Sequence, residues 1–408
     1  MSERPDLNAD LDRVMRRSYG KLLALLVAYS GDLDASEDAL SAALLRALDV
    51  WARGGAPDNP EGWLLVTARR RLLDDKRRAS RHRSLLRKMG TPSDADASES
   101  EVQIPDERLR LLFLCAHPSV DANARAPLLL RHALGLESDR IAGRFLCSPD
   151  AMRQRLSRAT RSIRDAGVRF EVPGFDELAE RVGCVLDAVY GAFGAAHDEL
   201  HLEGAVIETG ATDALELARA CAELMPDEAE AHGLRSLIAA CLSRRAAQRD
   251  ERGVFIPLDG QDTGRWDRAL LDEAEASLRR ASLTPGAGPY RVEAAIQSAH
   301  AYRRLSGSDN WADIVDLYDL LVRLRPSVGA LVGRAAAIGE HLGPDAAIRA
   351  LDEIPVARVT RYQPYFAVRA HALQRLGDRD ASARALRSAI GLTADAGVRA
   401  YLLDAVRA

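Results

Sequence analysis

Three segments in the second half of this chain close on the same phrase: Ala222-Glu223-Leu224-Met225-Pro226, Ala281-Ser282-Leu283-Thr284-Pro285 and Val322-Arg323-Leu324-Arg325-Pro326. A helical run that reaches proline stops there, because proline lacks the backbone donor and its ring clashes with the preceding turn. Repeated along one chain, such endings predict helix pairs stacked side by side, each pair too small to bury its apolar face alone. The pattern holds from about Gly174 to Ala408. Its clearest copy lies within Tyr365 to Leu392, where Ala372-Leu373-Gln374-Arg375-Leu376-Gly377 ends one helix and Ala381 to Ile390 forms its partner. Gly377 suits the tight turn between them. Arg252 to Trp266 breaks the pattern and reads as an inserted loop.

The rest of the composition agrees with an all-α protein. Aromatic residues are 5% of the chain, while Ala, Leu and Arg recur throughout and lose little on entering a helix. At 408 residues the chain is too long for one core, so two or three domains are expected. No apolar run is long enough to span a membrane, and Met1 to Asp12 carries no signal-peptide core. We therefore expect a cytoplasmic protein without a membrane partner. The five cysteines, Cys115, Cys147, Cys184, Cys221 and Cys241, are far apart and form no CxxC pair. In a reducing compartment they read as small hydrophobes, and neither a metal nor a cofactor is expected.

Charge divides the chain. Residues 1–173 hold 29 Lys/Arg against 25 Asp/Glu, and residues 174–408 hold 27 against 35. The basic charge of the first part is concentrated in two short segments, as a nucleic-acid footprint requires, with an acidic module behind it.

Before that acidic module the pattern gives two helical blocks. In the first, Leu22, Leu23, Leu26 and Val27 make one apolar face, and Leu40, Leu44, Leu45 and Leu48 make a second at helical spacing. Arg53-Gly54-Gly55-Ala56-Pro57-Asp58-Asn59-Pro60 is a loop, and a third helix follows from about Glu61 to Arg81. Residues 89–104, small and acidic around Gly90 to Ser100, read as a flexible linker. The second block, from about Pro105, begins with Leu109, Leu111, Leu112, Phe113 and Leu114, continues through Leu128, Leu129 and Leu130, and ends in a helix-turn-helix pattern over Glu137 to Ala166. Ser148 is a good N-cap for the last helix, with Pro149 at its first position.

The first basic segment, Leu64 to Lys88, contains ten Lys/Arg and two acids. Arg69, Arg70, Arg71, Lys76, Arg77 and Arg78 concentrate on one helix, where each cation placed on a phosphate releases counterions. Trp63 stands between this helix and the Gly/Pro loop, the arrangement that lets bases stack while cations follow the backbone; an ordinary core tryptophan is the alternative reading. The second basic segment places Asp150, Arg153, Gln154, Ser157, Arg158 and Arg161 on exposed positions, while Met152, Leu156 and Ile163 seat the helix. Arg and Gln near the start of a second helix pair with guanine and adenine edges in the major groove.

These residues resemble a known family. Glu37-Asp38-Ala39-Leu40, Pro60 with Trp63-Leu64, Ala68-Arg69 and Asp74 are similar to domain two of extracytoplasmic-function sigma factors. Asp106 to Cys115, Ile141-Ala142, Ala151-Met152-Arg153-Gln154-Arg155-Leu156 and Ile163-Arg164-Asp165-Ala166-Gly167 are similar to domain four. The tail resembles a subgroup with a tetratricopeptide-like extension, through Arg265-Trp266-Asp267-Arg268-Ala269-Leu270, Gly288-Pro289-Tyr290, Ala294-Ala295-Ile296 and Asp316-Leu317-Tyr318-Asp319. The resemblance implies two small helical sigma domains, residues 1–88 and 105–168, the second with a helix-turn-helix, followed by a TPR-like solenoid over residues 169–408. It implies RNA polymerase core as partner, through the clamp helices of the largest subunit and the flap of the second-largest, together with promoter DNA. Glu37, Asp38, Ser41, Leu44 and Leu45 would dock on the polymerase. Asp58, Asn59, Trp63, Arg69, Arg70, Arg71, Lys76 and Arg77 would hold the minus-ten element. Arg153, Gln154, Ser157, Arg158 and Arg161 would read the minus-thirty-five element.

The sequence also departs from that family. Ser41, Ala42, Ala43 and Leu44 stand where Gln-Glu and an aromatic are usual, which removes polar docking contacts. Arg70 replaces a usual Asn, which alters the expected minus-ten preference, and Phe193-Gly194-Ala195-Ala196-His197 replaces a Phe-Asn-Glu-Gly-Tyr stretch.

The function expected is promoter-directed transcription initiation without catalysis, modulated by a C-terminal domain that binds a protein or the sigma domains themselves. The alternative is a DNA-binding regulator or interaction scaffold that has lost polymerase docking. His197, Asp198, Glu199 and His201 cluster, but no helical HExxH frame accompanies them, so an enzyme is the least favoured class.

Overall fold

The structure, a computed structural model, describes residues 7–86, 107–144, 147–168, 181–191, 193 and 207–407. The expected linker, residues 89–104, and the cluster His197, Asp198, Glu199 and His201 lie outside the described residues. Among the described residues the regular structure is helical, with one isolated β-bridge between Arg249 and Phe255. No described helix is long and apolar enough to cross a membrane. The chain divides into two compact units, Met1–Ala196 with Ala205–Ala220, and His197–Gly204 with Cys221–Ala408.

The first unit is built from α1 (Leu7–Ser30), α2 (Leu33–Gly54), α3 (Pro60–Leu86), α4 (Glu107–Cys115), α5 (Ala122–Leu134), α6 (Ser138–Arg144), α7 (Pro149–Asp165), α8, described over residues 181–191, and most of α9 (Ile207–Leu224). Local chemistry sets the boundaries. Asp32 caps α2 by accepting from the Ala35 N–H at 3.0 Å, and Gly31 takes the left-handed conformation that turns the chain between α1 and α2. Asn59 caps α3 through the Gly62 N–H at 2.9 Å. That helix continues to Leu86, beyond the expected end near Arg81.

Leu22, Leu23, Leu26 and Val27 of α1 are all buried, as are Leu40 of α2 and Leu64 of α3. The buried face of α1 serves both expected blocks: α1 packs on α2 and α3, and also on α4 and α5. The approach to α5 is close. A Cβ added at Gly20 would lie 1.8 Å from the Ala133 carbonyl oxygen, so only glycine fits there. The two blocks separated by the linker in sequence are thus joined through one shared core. From α8, buried Arg181 donates to the Phe113 carbonyl of α4 at 3.3 Å.

The second unit continues from α10 (Ala229–Ser243) through α11 (Arg268–Ser282), α12 (Pro289–Ser306), α13 (Trp311–Leu324), α14 (Val328–Leu342), α15 (Pro344–Asp352), the short α16 (Val356–Val359), α17 (Gln363–Arg375), α18 (Arg379–Leu392) and α19 (Ala396–Arg407). Helices near in sequence pack on one another, α10 on α11 and α12, α13 on α14, α14 on α15, α17 on α18 and α18 on α19, which is the behaviour of a helical-repeat array. The three repeated endings fall at helix termini: α9 stops at Leu224, α11 at Ser282 and α13 at Leu324. Gly377 adopts φ +82° between α17 and α18.

The insertion between α10 and α11 forms short 3-10 turns and a single bridge, and it is anchored on α12 and on the last helix of the array. Arg304 of α12 donates to the Gln261 carbonyl at 3.0 Å. At the last helix Arg249 donates to the buried Asp395 carboxylate at 2.7 Å, and the Phe255 N–H reaches the Gly397 carbonyl at 3.3 Å. A Cβ at Gly397 would come within 2.2 Å of the Gly253 carbonyl oxygen, so glycine is required for that approach.

Candidate nucleic-acid interface

Helix α7 has one seated face and one presented face. Met152, Leu156, Ala159, Thr160 and Ile163 are buried, against Ile141 and Ala142 of α6, which are buried too. Ser148 caps α7 by accepting from the Ala151 N–H at 3.2 Å, with Pro149 at the first helical position. The five residues expected to read DNA here, Arg153, Gln154, Ser157, Arg158 and Arg161, are all exposed. Arg153 is not unaccompanied: it pairs with Asp139 at 2.8 Å and with Asp150 at 2.5 Å.

On the other element, Asp58 and Asn59 are exposed in the loop before α3, although the Asn59 side chain is engaged as a cap. Trp63 is half-buried and meets Trp51 edge-on at 5.4 Å, so it is in part a core residue. Arg70, Arg71 and Arg77 stand on α3 and are all exposed. Arg69 is turned from that face, since its guanidinium lies 5.3 Å from the Tyr29 ring centre. Lys76 and Arg78 fall on α3, and their side chains lie outside the described residues.

Helix α2 divides its expected docking residues. Asp38, Ser41 and Leu45 are exposed, and Leu44 is half-buried. The leucine stripe read from the sequence is split: Leu40 is in the core, whereas Leu45 is 67% exposed and Leu48 37%. Leu45 and Leu48 therefore form an apolar edge left exposed by the described residues of the first unit.

Glu37 faces the opposite way. It accepts from the Tyr19 hydroxyl at 3.1 Å and from the Arg131 guanidinium of α5 at 3.2 Å. Burial, with Glu37 second, pushes the Tyr19 phenol up, so it stays protonated and donates. His132, 2% exposed, lies 3.8 Å from Glu37, and burial lowers its pKa to about 4. It is neutral at pH 7, so this separation is not an ion pair. A second contact joins Asp34 of α2 to Arg164 of α7 at 2.6 Å; burial raises the Asp34 pKa and Arg164 opposes the shift. Between them a cleft of about 410 Å³ is lined by Asp34, Glu37 and Arg131 on one side and by Arg153, Ser157 and Arg161 on the other. Part of the presented face of α7 thus looks onto the acidic start of α2.

Sequence reasoning did not single out Tyr19, Asp34 or Arg131, and it read Leu48 only as part of the apolar stripe and Arg164 only as part of the domain-four likeness. The glycines at 20 and 135 are the one local sign of close packing: Gly135 has φ +66° and sits against the Tyr19 ring.

Comparison with known proteins gives a consistent result. The family described as Sigma-70 region 2 matches residues 14–82, which covers α2 and most of α1 and α3. A family of unknown function, DUF6596, matches residues 181–282. Uncharacterized protein R00370 of Rhizobium meliloti is 33% identical over 96% of this chain and 94% of its own length. Probable RNA polymerase sigma factor RfaY of Xanthomonas campestris is 31% identical over 161 residues, 38% of this chain and 39% of that protein. Probable ECF RNA polymerase sigma factor SigI of Mycobacterium tuberculosis is 29% identical over 38% of this chain and 54% of its own. The chain therefore spans about half or less of those two sigma factors. Among solved structures, yeast Tom70 aligns over 98% of this chain and 85% of its own, but at 13% identity and a TM-score of 0.35, too weak to argue from.

Proposed function

This chain belongs to the extracytoplasmic-function type of sigma factor, with a C-terminal helical extension, and from that premise we propose that it binds RNA polymerase core through α2 and reads two promoter elements with α3 and α7. The observation that carries this reading is the divided surface of α7, seated by apolar residues while all five DNA-reading positions reach solvent. In this account Asp38, Ser41, Leu44 and Leu45 meet the clamp helices, with Leu48 extending their apolar edge. Arg70, Arg71 and Arg77 follow the minus-ten strand beside Trp63. Arg153, Gln154, Ser157, Arg158 and Arg161 meet the minus-thirty-five bases.

The described arrangement is then the closed form. The two elements are about 25 base pairs apart, or about 85 Å of duplex. A compact unit of about 200 residues has a radius of gyration of only about 17 Å. A chain that keeps α7 tied to α2 through Arg164 and Asp34 cannot reach both elements, so opening of the α2–α5–α7 contacts accompanies polymerase binding. The C-terminal unit modulates that step through a protein partner or the sigma domains.

The test is co-elution of the full chain with purified bacterial core polymerase. The expected result is a stable complex that Leu45→Asp weakens at least about tenfold, equivalent to about 1.4 kcal/mol. Absence of a complex, with salt-dependent duplex binding intact, would contradict polymerase docking and favour a DNA-binding regulator. The departure at Ser41 to Leu44 is the feature that makes this second outcome worth distinguishing.

A further inference from the structure

The repeat array of the second unit is closed on itself, and the closure creates a chamber. Open helical arrays present a groove into which an extended chain can be laid. Here the insertion between α10 and α11 crosses from α12, where Asp259 pairs with Arg303, to the start of α19, where Arg249 holds Asp395. Behind it lies a cavity of about 420 Å³, within the size range of small-molecule sites.

The lining is chemically specific. Phe255, Trp311, Tyr318 and Tyr401 present aromatic surfaces, and Ala336 and Ala367 leave room between the helices for a flat body. Phe255 is itself held edge-on against Tyr401 at 5.9 Å, so the clasp supplies one wall. The charges at the chamber are matched within the protein: Glu340 accepts from Arg375 at 2.8 Å, and Asp259 is engaged by Arg303. A charged ligand would therefore find no opposite charge left over. Among the buried side-chain polar atoms of the lining residues, Nδ1 of His300 makes no hydrogen bond. Burial also drives the His300 pKa down to about 4, so the ring is neutral and offers one donor and one acceptor.

We propose that this chamber binds a small neutral molecule with a flat, largely apolar body of one or two rings and a hydrogen-bonding group at its edge, which pairs with His300. His300 lines the chamber half-buried, with Nδ1 shielded in this rotamer, so the pairing requires its imidazole to turn toward the ligand. The inference does not depend on the sigma-factor reading and is tested without polymerase or DNA.

Prodan, a neutral two-ring naphthalene fluorophore with one carbonyl, is the probe; its emission shifts to the blue on leaving water. Titrated with the full chain, it should bind saturably at one site. Gln374→Trp, at an exposed lining position, and Ala336→Trp should each weaken binding at least tenfold with the thermal midpoint retained. Arg249→Ala, which releases the clasp, should weaken it as well. Val356→Trp, on a surface residue outside the chamber, should leave it unchanged. Neutral 2-naphthol should displace the probe. No saturable binding by the unaltered chain overturns the proposal. So does unchanged affinity in Gln374→Trp, which decides the matter if Ala336→Trp fails to fold. Displacement by an apolar heptapeptide but not by 2-naphthol overturns it in favour of a polypeptide occupant.

Discussion

His132 and Gly20 shape the first unit in ways that can be measured separately. Both ring nitrogens of His132 are buried without a hydrogen-bond partner, and burial lowers its pKa to about 4 from an ordinary 6.5. Between those values the unfolded chain binds more protons than the folded one. The stabilising contribution is therefore full above about pH 6.5 and is lost as pH falls toward 4, at up to about 1.4 kcal/mol per pH unit. The thermal midpoint should fall on acidification from pH 6.5 to 5, and His132→Leu should flatten that fall. His300, depressed likewise in the second unit, retains its own share. An unchanged slope in the leucine variant would refute the assignment. At Gly20 the added methyl of Gly20→Ala has no space against the Ala133 carbonyl, so α1 and α5 must separate, at a cost of about 1–3 kcal/mol in a denaturant titration. Neither effect was legible in full: His132 carries no pattern, and Gly20 hints at a close approach without naming its partner far along the chain.

At the scale of the helix, much was legible. The N-cap at Ser148, the proline after it and the spacing of Met152, Leu156 and Ile163 are local signals, and local signals fix both the start of α7 and its buried face. Periodicity was less informative for α2. It marks an apolar stripe but does not say whether the stripe faces a core or a partner, and Leu45 and Leu48 turned out to face solvent. Two predictions belong to these elements. Replacing Arg70, Arg71 and Arg77 by alanine should reduce the salt slope of DNA binding by about 0.9 for each phosphate no longer neutralised, with little change in sequence preference. Replacing Arg158 by alanine should instead relax discrimination between duplexes by about 1–3 kcal/mol at one base position. A plot of log affinity against log salt, made for matched and mismatched duplexes, separates the two.

For the whole molecule, the contacts that matter join residues distant in sequence, and this is why they escaped a reading of local pattern. Glu37 and Arg131 are 94 positions apart, Asp34 and Arg164 are 130, and Arg249 and Asp395 are 146. The repeated helix endings announced a helical array, but nothing local announced the clasp that closes it. The closed first unit makes its own prediction. Arg131→Glu should place two carboxylates together beside α2 and loosen the unit, raising affinity for promoter duplex, while Glu37→Arg combined with Arg131→Glu should restore the closed form. Fluorescence transfer between labels on α2 and α7 would report it. The central claim, that the chain directs polymerase to promoters, is tested most directly by run-off transcription with purified core polymerase and genomic DNA fragments. The account predicts discrete transcripts that depend on this protein and vanish when Arg153, Arg158 and Arg161 are replaced together by alanine; transcripts identical with and without the protein would contradict it.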